Sequence, residues 1–352
     1  MATMKHSFGS DNHSGVHPLI MEAVVKENRG FRTSYGADDY TVSVLEKLED
    51  LLGGDCKALF VLNGTGANVV ALAPFLKSFN SILAPATAHI NVDECGAPDK
   101  FTSSKIIPLH HIDGKVSPET VKTAFADYGD QHRAQPKILS ISQPTELGTL
   151  YTPEEIKALA ELMHENCGYL HVDGSRISNA AAALNLPVKA ITADCNIDSL
   201  SFGGTKNGLL IGEAVVIFCR EGKNKEMAES LCYIRKQATQ LYSKNRFIAA
   251  QFEAYLSDNL YLKMAKHSNG MAKYLAEQLE QFNCIKISKK VESNAVFATM
   301  PKELSDKLHE TYYFYIWDES VNEARLMCSF NTQKEDIDEF ITSIGKILSA
   351  GK

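Results

Sequence analysis

Leu200-Ser201-Phe202-Gly203-Gly204-Thr205-Lys206-Asn207-Gly208 is a short apolar run that breaks into a glycine-rich turn carrying a lysine. The neighbouring Gly203, Gly204 and Gly208 disfavour the solvated helical face on which an ordinary surface lysine stands. Upstream, Tyr169-Leu170-His171-Val172 is another apolar run, and it closes on Asp173 with Arg176 three positions on. A carboxylate at the end of a buried strand is costly unless something pairs with it. A simple Asp–Arg pair is one answer, and a protonated ring nitrogen is another.

Working outward, the same alternation recurs. Strands are expected at Ala58–Leu62, Ser81–Ala84, Lys105–Pro108, Lys137–Ser142, Tyr169–Val172, Ser199–Phe202 and Ala214–Phe218. Helices fit between and before them at 18–27, Thr41–Leu52, Ala67–Phe79, Pro118–Ala126, Pro153–Asn166 and Ala180–Leu184. Short apolar strands alternating with helices predict an α/β fold with a mostly parallel seven-stranded sheet covered on both faces. Glu226–Asp258 reads as one long helical stretch crossing to a smaller α+β unit. In that unit Met264–Phe282, Pro301–Thr311 and Lys334–Leu348 are expected as helices, and Ala295–Met300 and Arg325–Phe330 as strands. The division expected is residues 1–245, including the N-terminal segment, and residues 246–352.

The chain has 352 residues, a formal net charge of -7, 44% hydrophobic and 22% charged residues, which is a globular composition. Without a basic block, that charge argues against nucleic acid or an anionic membrane as partner. No run approaches the ~18 apolar residues of a membrane span, and Met1 to Ser10 lacks an apolar signal-peptide core. The eight cysteines show no C-x-x-C pair, so no zinc or redox site is expected and reduced thiols in a cytoplasm are the simpler reading.

Two more strand ends carry chemistry. Asn63-Gly64-Thr65-Gly66-Ala67-Asn68 lies where a strand hands over to a helix, and free N–H groups there suit a phosphate. A plain capped turn is the alternative; the stretch is neither a P-loop nor a dinucleotide fingerprint. His89, in Ala88-His89-Ile90-Asn91-Val92-Asp93-Glu94, follows the next strand, where an imidazole could stack on a ring or act as a base. A phosphate turn, a histidine, an Asp-x-x-Arg and a lysine, each after a strand, suit pyridoxal phosphate: an amine for its aldehyde and an acid for its ring nitrogen.

On these stretches the chain resembles, over essentially its whole length, the low-specificity L-threonine aldolases of the β-eliminating lyase group, pyridoxal phosphate enzymes of fold type I. The resemblance implies an aspartate-aminotransferase-like fold and cleavage of β-hydroxy-α-amino acids (threonine, allo-threonine, phenylserine) to glycine and an aldehyde. It implies that Lys206 carries the cofactor, that Asp173 pairs with the ring nitrogen, and that Gly64, Thr65 and Arg235 hold the phosphate. His89 would stack on the ring, and Arg176 would touch the phenolic oxygen or the substrate carboxylate. Ser10 and Arg325 would complete the carboxylate clamp, and Tyr35 would reach a site from a neighbouring subunit. A homo-oligomer is implied as well, a homotetramer as a dimer of dimers with sites at subunit interfaces. One position departs from the pattern: Ser142-Gln143-Pro144-Thr145-Glu146-Leu147-Gly148 has Glu146 where some relatives have a histidine. His89, Glu146 or a bound water therefore remain as bases for the β-hydroxyl. β-Elimination, amino transfer, a non-catalytic protein of this fold, and a nucleotide-binding α/β enzyme are the rival readings.

Overall fold

The computed structural model describes residues 6–350, so the first five residues of the segment read for a signal core lie outside it. Seven strands form the main sheet: β1 Cys56–Val61, β2 Asn80–Pro85, β3 Lys105–Leu109, β4 Gln135–Ser142, β5 Tyr169–Gly174, β6 Ser199–Phe202 and β7 Glu213–Phe218. Their order is β1-β7-β6-β5-β4-β2-β3, and β7 runs against both its neighbours while the other pairs are parallel. The mostly parallel seven-stranded expectation therefore holds, with β7 as the exception. Only residues 203–212 join β6 to β7, too few for a crossover helix, so the chain returns antiparallel.

Residues alternate between the two faces, as period two demands. Leu83, Leu139, Leu170, Val172, Leu200 and Val216 join one core with helices Asp39–Leu51, Pro153–Glu165, Ile177–Leu184 and Arg246–Leu256. Ile82, Ala84, Ile138, Val215 and Ile217 join another with helices Gly64–Leu72 and Lys225–Gln237. Burying each of these Leu, Ile and Val side chains contributes about 1.5–3 kcal/mol.

Two helices differ from expectation. The helix read as Ala67–Phe79 spans Gly64–Leu72: Asn63 caps its start by accepting from the Gly66 N–H at 2.8 Å, and Pro74 sits in the short 3-10 turn Ala73–Phe75 that ends it. The stretch Glu226–Asp258 is two helices, Lys225–Gln237 and Arg246–Leu256. The link contains Thr239 at φ 60° and brings Gln240 back to the outer edge of β1. That edge is closed by side chains: Glu49 accepts from Ala58 N at 2.8 Å, Gln240 accepts from Leu62 N at 3.0 Å, and Arg235 donates to the Phe60 carbonyl at 3.2 Å.

A four-stranded antiparallel sheet orders Tyr315–Asp318, Glu323–Met327, Ala295–Thr299 and Lys286–Ile287. It packs on helices Leu260–Leu279 and Lys334–Ala350 through Val296, Ala298, Leu326, Leu275 and Phe340. Residues 6–8 of the N-terminal segment pack here, with Phe8 buried in this core and strand His6–Ser7 paired with Tyr312–Tyr313, while Ile20 joins the core of the large sheet. Among the described residues no helix is long and apolar enough to cross a membrane.

Candidate active site

In a parallel sheet the loops that leave the strands all emerge at one edge. Gly64 and Thr65 come after β1, His89 after β2, Glu146 after β4, Arg176 after β5 and Lys206 after β6. Because β7 is antiparallel, its first residue, Glu213, arrives at the same edge. Gly64, Thr65, His89, Asp173, Lys206 and Glu213 line one cavity of about 290 Å³, with Leu210 and Ile211 on its wall. The Gly64 and Thr65 N–H groups have no partner among the described residues, as expected for the first turn of a helix.

Asp173 is buried. Burial alone would raise its carboxyl, but the Lys206 charge, the Asn68 amide and the Ser175 N–H together hold it below the ordinary carboxylate range. Asn68 Nδ2 stands 3.0 Å from Asp173 Oδ2, and Ser175 N stands 3.0 Å from Oδ1. Below it on β5, His171 is buried between Ser140 Oγ at 2.8 Å and Ser201 Oγ at 3.1 Å. Burial lowers that imidazole to about 4, so it stays neutral. His89 is the reverse: its hydrogen bond to Glu94 raises its affinity for a proton above the ordinary value.

The turn carrying Lys206 is held by packing that admits no side chain. A Cβ on Gly203 would lie 2.1 Å from the Ser175 carbonyl oxygen. Glu213 accepts from the Gly204 N–H at 2.5 Å, and burial pushes its carboxyl up to about 7.

Beside the cavity lies a charged cluster. Arg176 donates to Asp11 from Nε at 2.6 Å and from Nη2 at 2.9 Å. Burial works against the charge of Arg176, and the Asp11 carboxylate outweighs it. Arg325, on the strand Glu323–Met327, lies over the rings of Trp317 at 4.7 Å and Tyr315 at 5.3 Å. Burial and the charge of Arg176 both lower its affinity for a proton, while Glu146 and Asp11 oppose them. Glu146 is half-buried, and its charge also acts on His89 and Arg176.

Three expected residues stand apart from the cavity. Arg235 makes one hydrogen bond, from Nη1 to the Phe60 carbonyl, leaves its buried Nε without a partner among the described residues and lines a different cavity of about 660 Å³; Gln240 stands beside the Gly64–Gly66 turn, where a Gly66 Cβ would strike it at 2.1 Å. Ser10 caps the turn Asp11–His13 by accepting from Asn12 N, and it is Asn12 that lines the cavity. Tyr35 is half exposed at φ 63° on a loop held by its N–H to the Ser243 carbonyl. Beyond the expected residues, Asn68, Glu94 and Glu213 line the cavity, Asp11 holds Arg176, and Gln240 stands against Gly66. Glu94, five residues after His89, and Asp11, within the polar Ser10-Asp11-Asn12, carried a usable signal; Gln240 and Glu213 become neighbours of the site only through the fold.

The chain is similar to known proteins in sequence and in fold. The family model of the β-eliminating lyases matches residues 7–303. A low-specificity L-threonine aldolase of Pseudomonas sp. is 36% identical over 352 residues, covering 99% of this chain and 100% of that protein. The corresponding Pseudomonas aeruginosa protein is 35% identical over 99% of this chain and 100% of its own length. The solved structure of a Leishmania major threonine aldolase superposes with a TM-score of 0.90 at 26% identity, covering 97% of this chain and 99% of that one.

Proposed function

The chain belongs to the β-eliminating lyase family, and within it to the low-specificity L-threonine aldolases; from that premise we propose that it cleaves L-threonine, L-allo-threonine and related β-hydroxy-α-amino acids to glycine and an aldehyde, with pyridoxal phosphate as cofactor. The observation that carries the reading is one cavity offering an amine (Lys206), a buried ionised carboxylate (Asp173) and an unpartnered helix N-terminus at Gly64 and Thr65. That donor set fits the group: an anion for a ring nitrogen, N–H donors for a phosphate and an amine for an aldehyde. When bound, pyridoxal phosphate supplies a ring that takes up the electron pair left as the Cα–Cβ bond breaks.

The chain's own residues do the rest. Lys206 anchors the cofactor. Asp173, fixed by Asn68 and Ser175, offers the negative charge that would pair with the ring nitrogen. His89 forms a side wall. Arg176 and Arg325 offer the positive pair for the substrate carboxylate, and Nη1 of Arg176 makes no bond to a described residue. Fixing the carboxylate orients the bond to be broken.

Glu146 is the group we assign to take the β-hydroxyl proton. The hydrogen bond to Glu94 raises the proton affinity of His89 and occupies its Nδ1, whereas Glu146 stands near His89, Arg176 and Arg325 with no hydrogen bond to a described residue. The proton removed from the hydroxyl leaves an aldehyde, and a proton returned to Cα completes glycine.

A homo-oligomer with shared sites, specifically a homotetramer, belongs to the same proposal. Leu210 on the cavity wall is 51% exposed, and Phe31 and Tyr35 project from the loop at 28–36, apolar surface that a second copy would cover. Eight unpaired thiols fit a cytoplasmic setting. We divide the chain near residue 246, with residues 6–8 joined to the smaller unit. The test is a panel assay on threonine, allo-threonine and phenylserine. Equimolar glycine and aldehyde are expected; ammonia or an oxo acid instead would overturn the reading.

A further inference from the structure

A hydrogen-bonded chain crosses behind the cavity from its histidine to its aspartate. Glu94 Oε1 lies 2.8 Å from His89 Nδ1 and 2.7 Å from Asn68 Nδ2, and the same Nδ2 lies 3.0 Å from Asp173 Oδ2. The Glu94 side chain is wholly inaccessible to solvent, Asn68 is 2% exposed and Asp173 4%. The orientation of the amide is set by chemistry: both neighbours are carboxylate oxygens, so the NH2 group, with two hydrogens, must face them. Asn68 therefore spends both donor hydrogens on two anions that would otherwise face each other unscreened in a dry interior.

We propose that Glu94 and Asn68 are positioning residues that tie the histidine wall of the cavity to its aspartate floor, Glu94 fixing the ring of His89 through Nδ1 and Asn68 coupling Glu94 to Asp173. This rests on the cofactor reading above and deepens it.

A buried carboxylate is expensive unless paired. Here the cost is met by two donors on one oxygen, and the second oxygen, Glu94 Oε2, has no partner among the described residues. With Nδ1 engaged, only Nε2 of His89 is left for the cavity, so the wall presents that one edge. The charged groups facing His89 are Glu94, Glu146 after β4, Asp173 on β5 and Lys206 after β6. The first three favour the imidazolium and Lys206 opposes it. Glu94 makes the only hydrogen bond among them, so it dominates. Removing its charge should free the imidazole to lose its proton at lower pH.

The test uses the cofactor-loaded full chain with histidines labelled for NMR, as wild type, E94Q, H89F and the double variant. In wild type, His89 is expected to hold its proton above the ordinary histidine range. In E94Q its titration midpoint should fall by about one pH unit, while the visible band of the bound cofactor stays. E94Q should lower kcat/KM about tenfold on its own and less than about twofold in the H89F background, since Glu94 acts through His89. An unmoved His89 midpoint in E94Q, or equal losses in both backgrounds, overturns the proposal. If E94Q does not fold, the wild-type titration decides alone: a midpoint at or below the ordinary value sinks it. Failure of the wild type to bind pyridoxal phosphate would instead remove the cofactor reading, a separate outcome.

Discussion

Asp11 Oδ2 and Arg176 Nε stand 2.6 Å apart, with a second contact of 2.9 Å between Oδ1 and Nη2. The arginine after β5 is thus not a free clamp waiting for a substrate. It is pre-aimed by a carboxylate from the N-terminal segment, and its fork keeps Nη1 for a ligand.

Asp11→Asn should cost about 3–5 kcal/mol at neutral pH, because it leaves a buried guanidinium without its anion. Burial would raise the Asp11 carboxyl, but Arg176 holds it below its ordinary 3.8. Its stabilisation is therefore present above that value and is lost as pH falls below it. Urea unfolding at pH 7 and pH 3 checks this: the gap between wild type and D11N should narrow at the lower pH.

Gly203→Ala should separate the lysine turn from the strand end beneath it. The new methyl would meet the Ser175 carbonyl, a backbone atom with no freedom to swing away. A loss of about 1–3 kcal/mol in stability is expected, together with weaker binding of pyridoxal phosphate. A melting curve and a cofactor titration measure the two effects.

Glu213 gives a pH dependence of the opposite sign from Asp11. Its carboxyl is raised from 4.5 to about 7 in the fold, so the native state keeps a proton that the unfolded chain releases. Its favourable contribution is complete below 4.5 and is lost as pH rises to about 7. Glu213→Gln keeps an acceptor for the Gly204 N–H and removes the titration. Relative to wild type, the variant should gain stability between pH 4.5 and 7.5, measured by urea unfolding across that range.

His171 adds a loss on the acid side. Held neutral to about 4 between Ser140 and Ser201, it resists a proton that the unfolded chain accepts near 6.5. Stability should fall as pH drops from 6.5 towards 4. His171→Phe should flatten that slope, whatever it does to stability at neutral pH.

Much of this site was readable before the fold was known. Lys206, Asp173, His89 and Gly64-Thr65 each end an apolar run, and a parallel sheet must bring such ends to one edge. Where strand direction reverses, the signal is only the short link before β7: Glu213 opens that strand, and an antiparallel β7 places it beside Lys206. Arg235 shows the converse. Its distance after the lysine suited a phosphate ligand, but the break near Thr239 leaves it closing the edge of β1 while Gln240 turns in. Asp11 stands in a polar stretch that marks it as a candidate, but its partner Arg176 is 165 residues away, and nothing local names that pairing.

The role of Lys206 is tested by reducing the pyridoxal phosphate-loaded protein with borohydride and locating the modified lysine by peptide mass spectrometry. The pyridoxyl group is expected on Lys206, with no label and no release of acetaldehyde from threonine in Lys206→Ala. Label on a different lysine, or undiminished acetaldehyde release by that variant, would contradict the assignment.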